Sequence, residues 1–233
     1  MKANDLAINS AIDLIIFDCD GVLVDSEVLS QRVLIEMLAE IGVAVSEEYF
    51  LTHFLGYNFE HVTAKVFSDF SVKLTAEFRE NYRDKLIKVF AVELQQTQDL
   101  AWMLSQINVK SCVATSGSPD KVRNSLHYTK LEQYFGNRVF TSSEVKNGKP
   151  APDLFLHAAN KMAVAPQNCL VIEDSNAGVR AGLAANMQVI RYTGASHLSG
   201  LKTTMSDDVT TIDHWTELFE QIPSLSSSTK TER

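Results

Sequence analysis

Four short apolar, β-rich runs limit the fold of this chain more than any other feature: Leu14 to Phe17, Lys110 to Ala114, Cys169 to Ile172 and Gln188 to Tyr192. Runs of this kind suit strands buried on both faces, the habit of parallel sheets covered by helices. Helical patterns lie between them. Pro119 to His127 opens after Ser118, a good N-cap, and Pro152 to Met162 places Phe155, Ala159 and Met162 on one face. Asp213 stands where it would cap a final helix bearing Trp215, Leu218 and Phe219. Strand-helix alternation predicts an α/β protein with a doubly wound parallel sheet.

One stretch breaks the alternation. From Val28 to about Gln95 only helical patterns occur, beginning with Leu29, Val33, Leu34, Met37, Leu38 and Ile41 and stopping at Gly42. The simplest account is an all-helical insertion after the first strand, over 29–95, with 1–28 and 96–233 forming the core. A length of 233 residues suits one main domain with a small second one.

A net charge of -8 argues against a nucleic-acid backbone as ligand, although local amides, a lysine and a metal can still hold a small anion. No run of about 18 apolar residues predicts a membrane span. Met1 to Ser10 lacks the basic start and apolar stretch of a secretory signal, so a cytoplasmic protein is expected. The three cysteines, Cys19, Cys112 and Cys169, form no metal-type pair, and Cys112 and Cys169 sit in apolar runs as expected of buried free thiols. Ser224 to Arg233 is polar and expected to fray. Nothing in the sequence sets the oligomeric state.

The strongest local signal is Asp18-Cys19-Asp20-Gly21, directly after the first predicted strand. If the chain stays extended for two more residues, both aspartate side chains point to the same side. Such a pair fits a nucleophilic carboxylate beside a proton donor. The tetrapeptide alone is also an ordinary solvated turn. Glu173-Asp174-Ser175 follows another predicted strand, and hard oxygen ligands there suit Mg²⁺; the same residues equally suit a helix N-terminus. Lys149, stiffened by Pro150 and Pro152, can offset charge between a carboxylate and a phosphate, or simply sit on a turn. In Thr115-Ser116-Gly117-Ser118-Pro119 a hydroxyl and backbone amides at a helix start form an anion site, or a plain turn and cap.

In order and spacing these four motifs resemble the haloacid dehalogenase superfamily, over nearly the whole chain. The resemblance implies a Rossmann-like core and a helical cap at about 29–95. It implies that Asp18 is the nucleophile and Asp20 the acid/base. Ser116 and Gly117 would bind phosphate, Lys149 would neutralise it, and Asp18, Glu173, Asp174 and the backbone carbonyl of Asp20 would hold Mg²⁺. The substrate implied is a small phosphorylated metabolite, a sugar or polyol phosphate.

Relatives resembling β-phosphoglucomutase carry a histidine and an arginine where Ser30 and Phe59 stand here, which favours a phosphatase over a phosphomutase. A dehalogenase needs neither Asp20 nor the Glu173-Asp174 pair. A phosphonate-cleaving enzyme needs a cap lysine, and no spacing supports Lys65 or Lys73. A non-enzymatic module on the same fold would be expected to lose motif residues, and this chain keeps them. Gly56 marks a cap loop that brings Tyr57, Asn58 and Phe59 near the pocket or merely packs them there. His53 and His61 read as solvated helix-face residues.

Overall fold

Parallel hydrogen bonding joins the four apolar runs and two shorter strands into one six-stranded sheet among the described residues. The computed structural model describes residues 12–55, 57, 59–198 and 209–227. In chain order the elements are β1 (Leu14–Phe17), α1 (Glu27–Glu40), α2 (Glu47–His53), α3 (Phe59–Phe70), α4 (Ala76–Glu93) and α5 (Leu100–Gln106). Then come β2 (Lys110–Thr115), α6 (Pro119–Tyr128), α7 (Glu132–Phe135), β3 (Val139–Thr141) and α8 (Asp153–Lys161). The chain closes with β4 (Cys169–Glu173), α9 (Asn176–Ala184), β5 (Gln188–Tyr192), β6 (Thr210–Ile212) and α10 (Trp215–Gln221). All four expected strands are present. β3 and β6, three residues each, are too short to give a sequence pattern.

The strand order is β3-β2-β1-β4-β5-β6, so the winding reverses beside β1 and leaves a crevice at the carboxyl ends of β1, β2 and β4. Alternation along β1 sends Ile15 and Phe17 into one core layer and Leu14 and Ile16 into the other. Leu154, Phe155 and Ala158 of α8 and Val179 of α9 fill the second layer. The first layer holds Trp215, whose ring stacks on Tyr192 at 4.2 Å and meets Phe17 edge-on at 6.2 Å.

Local chemistry explains several helix starts. The Ser118 hydroxyl accepts from Lys121 N and Pro119 opens α6, as expected. The final helix differs: His214, not Asp213, is its cap, the imidazole accepting from Thr216 N. In α1 the stripe Val33, Leu34, Met37 and Leu38 is buried, but Ile41 lies past the helix end and is exposed. Gly42, at φ +80, then turns the chain. The expected fraying is also corrected in part, for Pro223–Leu225 forms a 3-10 turn with Leu225 buried. Asn108 Nδ2 donates to the carbonyls of Ser224 and Ser226 there. Met1 to Ser10, Gly56, Asn58 and 228–233 lie outside the described residues.

The helices α1 to α4 follow β1 without a strand among the described residues, as the helical patterns require. Their two connections to the sheet run side by side: Val24 pairs antiparallel with Gln96, and Asp25 N donates to the carbonyl of Gln95. Within the insertion α1 packs on α4, and α4 packs on α6 of the core. Cys19, Cys112 and Cys169 are all free and buried. No helix among the described residues is long and apolar enough to cross a membrane. Trp215→Ala should lower the unfolding free energy by about 3–5 kcal/mol, read from urea denaturation followed by far-ultraviolet circular dichroism.

Candidate active site

Strand register sets the site. Phe17 pairs with Val113 of β2 and with Ile172 of β4, so the next residues, Asp18, Ala114 and Glu173, stand at one level across three neighbouring strands. Lys149 reaches that level from the loop before α8. Its Nζ donates to Asp18 Oδ1 at 2.5 Å, Glu173 Oε1 at 2.7 Å and the Ala114 carbonyl at 3.0 Å, and lies 4.7 Å from the Phe155 ring centroid. Burial works against the ammonium, but Asp18 and Glu173 outweigh it and raise its pKa. Burial raises the Asp18 carboxyl well above its ordinary range; Lys149 opposes this, and Glu173, Asp174 and Asp20 add to it.

After Asp18 the chain does not stay extended. It turns through Cys19 to Val24, with Gly21 at φ +76 and Gly21 N donating to the Val24 carbonyl. The turn reading of the tetrapeptide therefore holds, and the turn keeps both aspartates beside lysines. A Cβ on Gly21 would come 2.1 Å from Asp174 Oδ2, so a glycine is required there for closeness as well as for its left-handed backbone.

The turn hands Asp20 to a different cation. Lys121 Nζ, on the first turn of α6, lies 2.9 Å from Asp20 Oδ2, and the Ser26 hydroxyl donates to Oδ1 at 2.5 Å. Burial pushes Asp20 up, yet Lys121 and Ser26 hold its pKa below the ordinary value. Lys121 is itself raised by Asp20 and Glu27 against its burial.

No motif in the sequence marks Lys121 or Ser26 as partners of Asp20, although each leaves a trace. Lys121 is at the third helical position, where an acid rather than a base suits the helix dipole. Ser26 precedes α1 as a cap would, but its side chain makes no cap bond and turns to Asp20 instead.

Glu173 Oε2 accepts from Ser175 N at 2.8 Å and Ser175 Oγ at 2.9 Å, and Ser175 also caps α9 by accepting from Gly178 N. A Cβ on Gly178 would come 1.7 Å from Glu173 Oε1. Asp174 is buried, and its pKa is pushed up to about 7 by burial, with the His197 hydrogen bond opposing and Glu173 assisting. His197, which no motif indicated, lies on the turn after β5 with Nε2 3.2 Å from Asp174 Oδ2. Gly117 sits against the acids: its Cβ would lie 3.6 Å from Asp20 Oδ2, and its N–H donates to Thr115 Oγ1 at 3.1 Å. Ser116 is exposed, its carbonyl accepting from Ser142 Oγ.

Asp18, Glu173 and Asp174 each offer an oxygen within 4.8 Å of the others, and all three are buried. Hard anionic donors packed this closely suit a Mg²⁺ ion, whose charge would relieve the burial that raises Asp18 and Asp174. On the insertion, Phe59 stacks on Tyr82, Arg79 lies 5.4 Å over its ring, and exposed Tyr57 stacks on His61 at 4.0 Å.

Residues 15–192 match the family model of the haloacid dehalogenase-like hydrolases, and the chain belongs to that family. It is 32% identical over 212 residues to the 6-phosphogluconate phosphatase of Escherichia coli K12, covering 91% of this chain and 95% of that one. It is 33% identical over 185 residues to hexitol phosphatase A of the same organism, covering 75% and 80% respectively. A haloacid dehalogenase family hydrolase from Deinococcus radiodurans R1, crystallised with phosphate and sodium, superposes with a TM-score of 0.77 at 25% identity, covering 94% of this chain and 99% of that one.

Asp174 carries a pH signature. Its folded pKa of about 7 stands above its ordinary value of 3.8. Between those values the folded chain keeps a proton that the unfolded chain has lost, so this residue makes stability fall as pH rises. In metal-chelating buffer, the urea midpoint of wild type should drop more steeply from about pH 4 to about pH 7 than that of Asp174→Asn.

Proposed function

We propose that this hydrolase is a Mg²⁺-dependent phosphatase that takes the phosphoryl group of a sugar or polyol phosphate onto Asp18 and passes it to water. One observation carries the reading: two aspartates two residues apart are gripped by different lysines, Lys149 on Asp18 and Lys121 on Asp20. The two carboxyls therefore have separate electrostatic surroundings, the condition for separate roles. The names of the phosphatase relatives support the substrate class.

Asp18 attacks phosphorus through a carboxylate oxygen as the bond to the leaving oxygen breaks, and Asp20 gives its proton to that oxygen, releasing an alcohol. Burial and the incoming phosphate's negative charge raise Asp20's proton affinity for this first step, against Lys121 and Ser26. In the second step Asp20 takes a proton from water as the water attacks the aspartyl-phosphate; inorganic phosphate leaves and the Asp18 carboxylate is restored. Lys149 draws the phosphate and Asp18 together by offsetting their like charges, while Ser116 and the amides about Gly117 hold phosphate oxygens. Asp18, Glu173 and Asp174, with the backbone carbonyl of Asp20, would hold Mg²⁺, Glu173 sharing its oxygens with Lys149 and Ser175. When bound, the ion supplies charge that keeps these carboxylates ionised and balances the phosphate. The helical insertion, about 29–95, acts as a cap that closes over the substrate and excludes bulk water.

Ser30 supports water as the acceptor. It is buried and its hydroxyl donates to the Ser26 carbonyl, so no imidazole stands at this position. Phosphate release from a panel of sugar and polyol phosphates should require Mg²⁺ and fall on the order of 10³-fold or more in Asp18→Asn. Metal-independent turnover, or an equally active variant, would sink the mechanism. With β-glucose 1-phosphate and the 1,6-bisphosphate, free phosphate should appear; glucose 6-phosphate formed at enzyme-like rates would replace the phosphatase by a mutase.

A further inference from the structure

The proposed phosphoryl transfer leaves His197 without a task, yet its side chain is buried against one of the acids. The ring is 3% exposed, and its Nε2 lies 3.2 Å from Asp174 Oδ2. Its Nδ1 is buried with no hydrogen-bond partner among the described residues, and its Nε2 faces the carboxylate. A Cβ at Gly21 would fall 2.1 Å from Asp174 Oδ2 and 2.9 Å from His197 Cε1, which means that the backbone of the Asp18 turn covers the pair directly.

The turn bearing His197 is anchored on both sides. Ala195 and Leu198 are buried, and Leu198 N donates to the Ala195 carbonyl. Ser196 binds the Asp25 carboxylate with its backbone N–H, at 3.2 Å to Oδ1, and with its hydroxyl. Asp25 belongs to the stem of the helical insertion, where its own N–H donates to the Gln95 carbonyl. A carboxylate free to rotate about its last bond presents a metal with a varying face, whereas a donor held on one oxygen fixes its plane. The Asp174 carboxylate draws the ring proton to Nε2 whichever charge the ring carries.

We propose that His197 is a positioning residue for the metal: from outside the ligand set it fixes the Asp174 carboxylate, and Ser196 ties that arrangement to the stem of the insertion through Asp25. The inference rests on the Mg²⁺-dependent reading above.

Mn²⁺ binding to the full chain, followed by the electron paramagnetic resonance signal of the free ion and competed with Mg²⁺, separates the two. His197→Phe keeps the ring's bulk without the donor and should weaken metal binding about 10–100-fold, as loss of an outer-shell partner does. His197→Gln, whose amide nitrogen can reach the same oxygen, should recover most of the affinity. Ser196→Ala loosens the turn without touching the ring and should weaken binding less; it is the readable arm if the phenylalanine variant does not fold. Wild-type affinity in His197→Phe, or in Ser196→Ala where the former is unfolded, overturns the inference and leaves the Mg²⁺ reading standing. A wild type that binds neither ion while it still releases phosphate overturns both.

Discussion

Lys149 places one ammonium among Asp18, Glu173 and the Ala114 carbonyl, at the level where three parallel strands end. Like charges cannot be buried together without a counter-charge, and the ends of β1 and β4 bring Asp18, Glu173 and Asp174 within a few ångströms of one another. The lysine meets part of that demand, and the raised Asp18 and Asp174 carboxyls show that it does not meet all of it. The proposed cation site answers that imbalance, because negative charge gathered at one sheet edge calls for positive partners.

The glycines matter because of that crowding. Gly21 lets the turn after β1 lie on Asp174, and Gly178 lets α9 begin against Glu173. In both places a methyl group would occupy the position of a carboxylate oxygen. Small residues here are thus part of the site's electrostatics, since they allow backbone and acid to approach closely enough for the lysines and the histidine to reach.

The chain leaves the sheet for the helical insertion immediately beyond the acids. Ser26 binds Asp20 and Asp25 binds Ser196, so the stem of the insertion shares hydrogen bonds with the core of the site. Movement of the insertion would be felt first at these contacts. Their position accounts for the use of a serine at the start of α1 whose hydroxyl does not cap the helix.

The strand-helix alternation, the helical insertion and the place of Asp18, Glu173 and Asp174 at strand ends were legible in the sequence, because buried parallel strands require unbroken apolar runs that end where the acids begin. β3 and β6 were not legible, since three residues have no period. Within the Asp18 turn, the sequence determined which residues stand at the strand end, whereas tertiary structure decided what each one touches. Lys121, Ser26 and His197 come to Asp20 and Asp174 from a helix, a linker and a turn whose separation along the chain carries no signal. Hydrogen bonds and charge pairing act through space over a few ångströms, so only the folded chain, with its strand register and the placing of α6 and the loops, determines which cation reaches which acid.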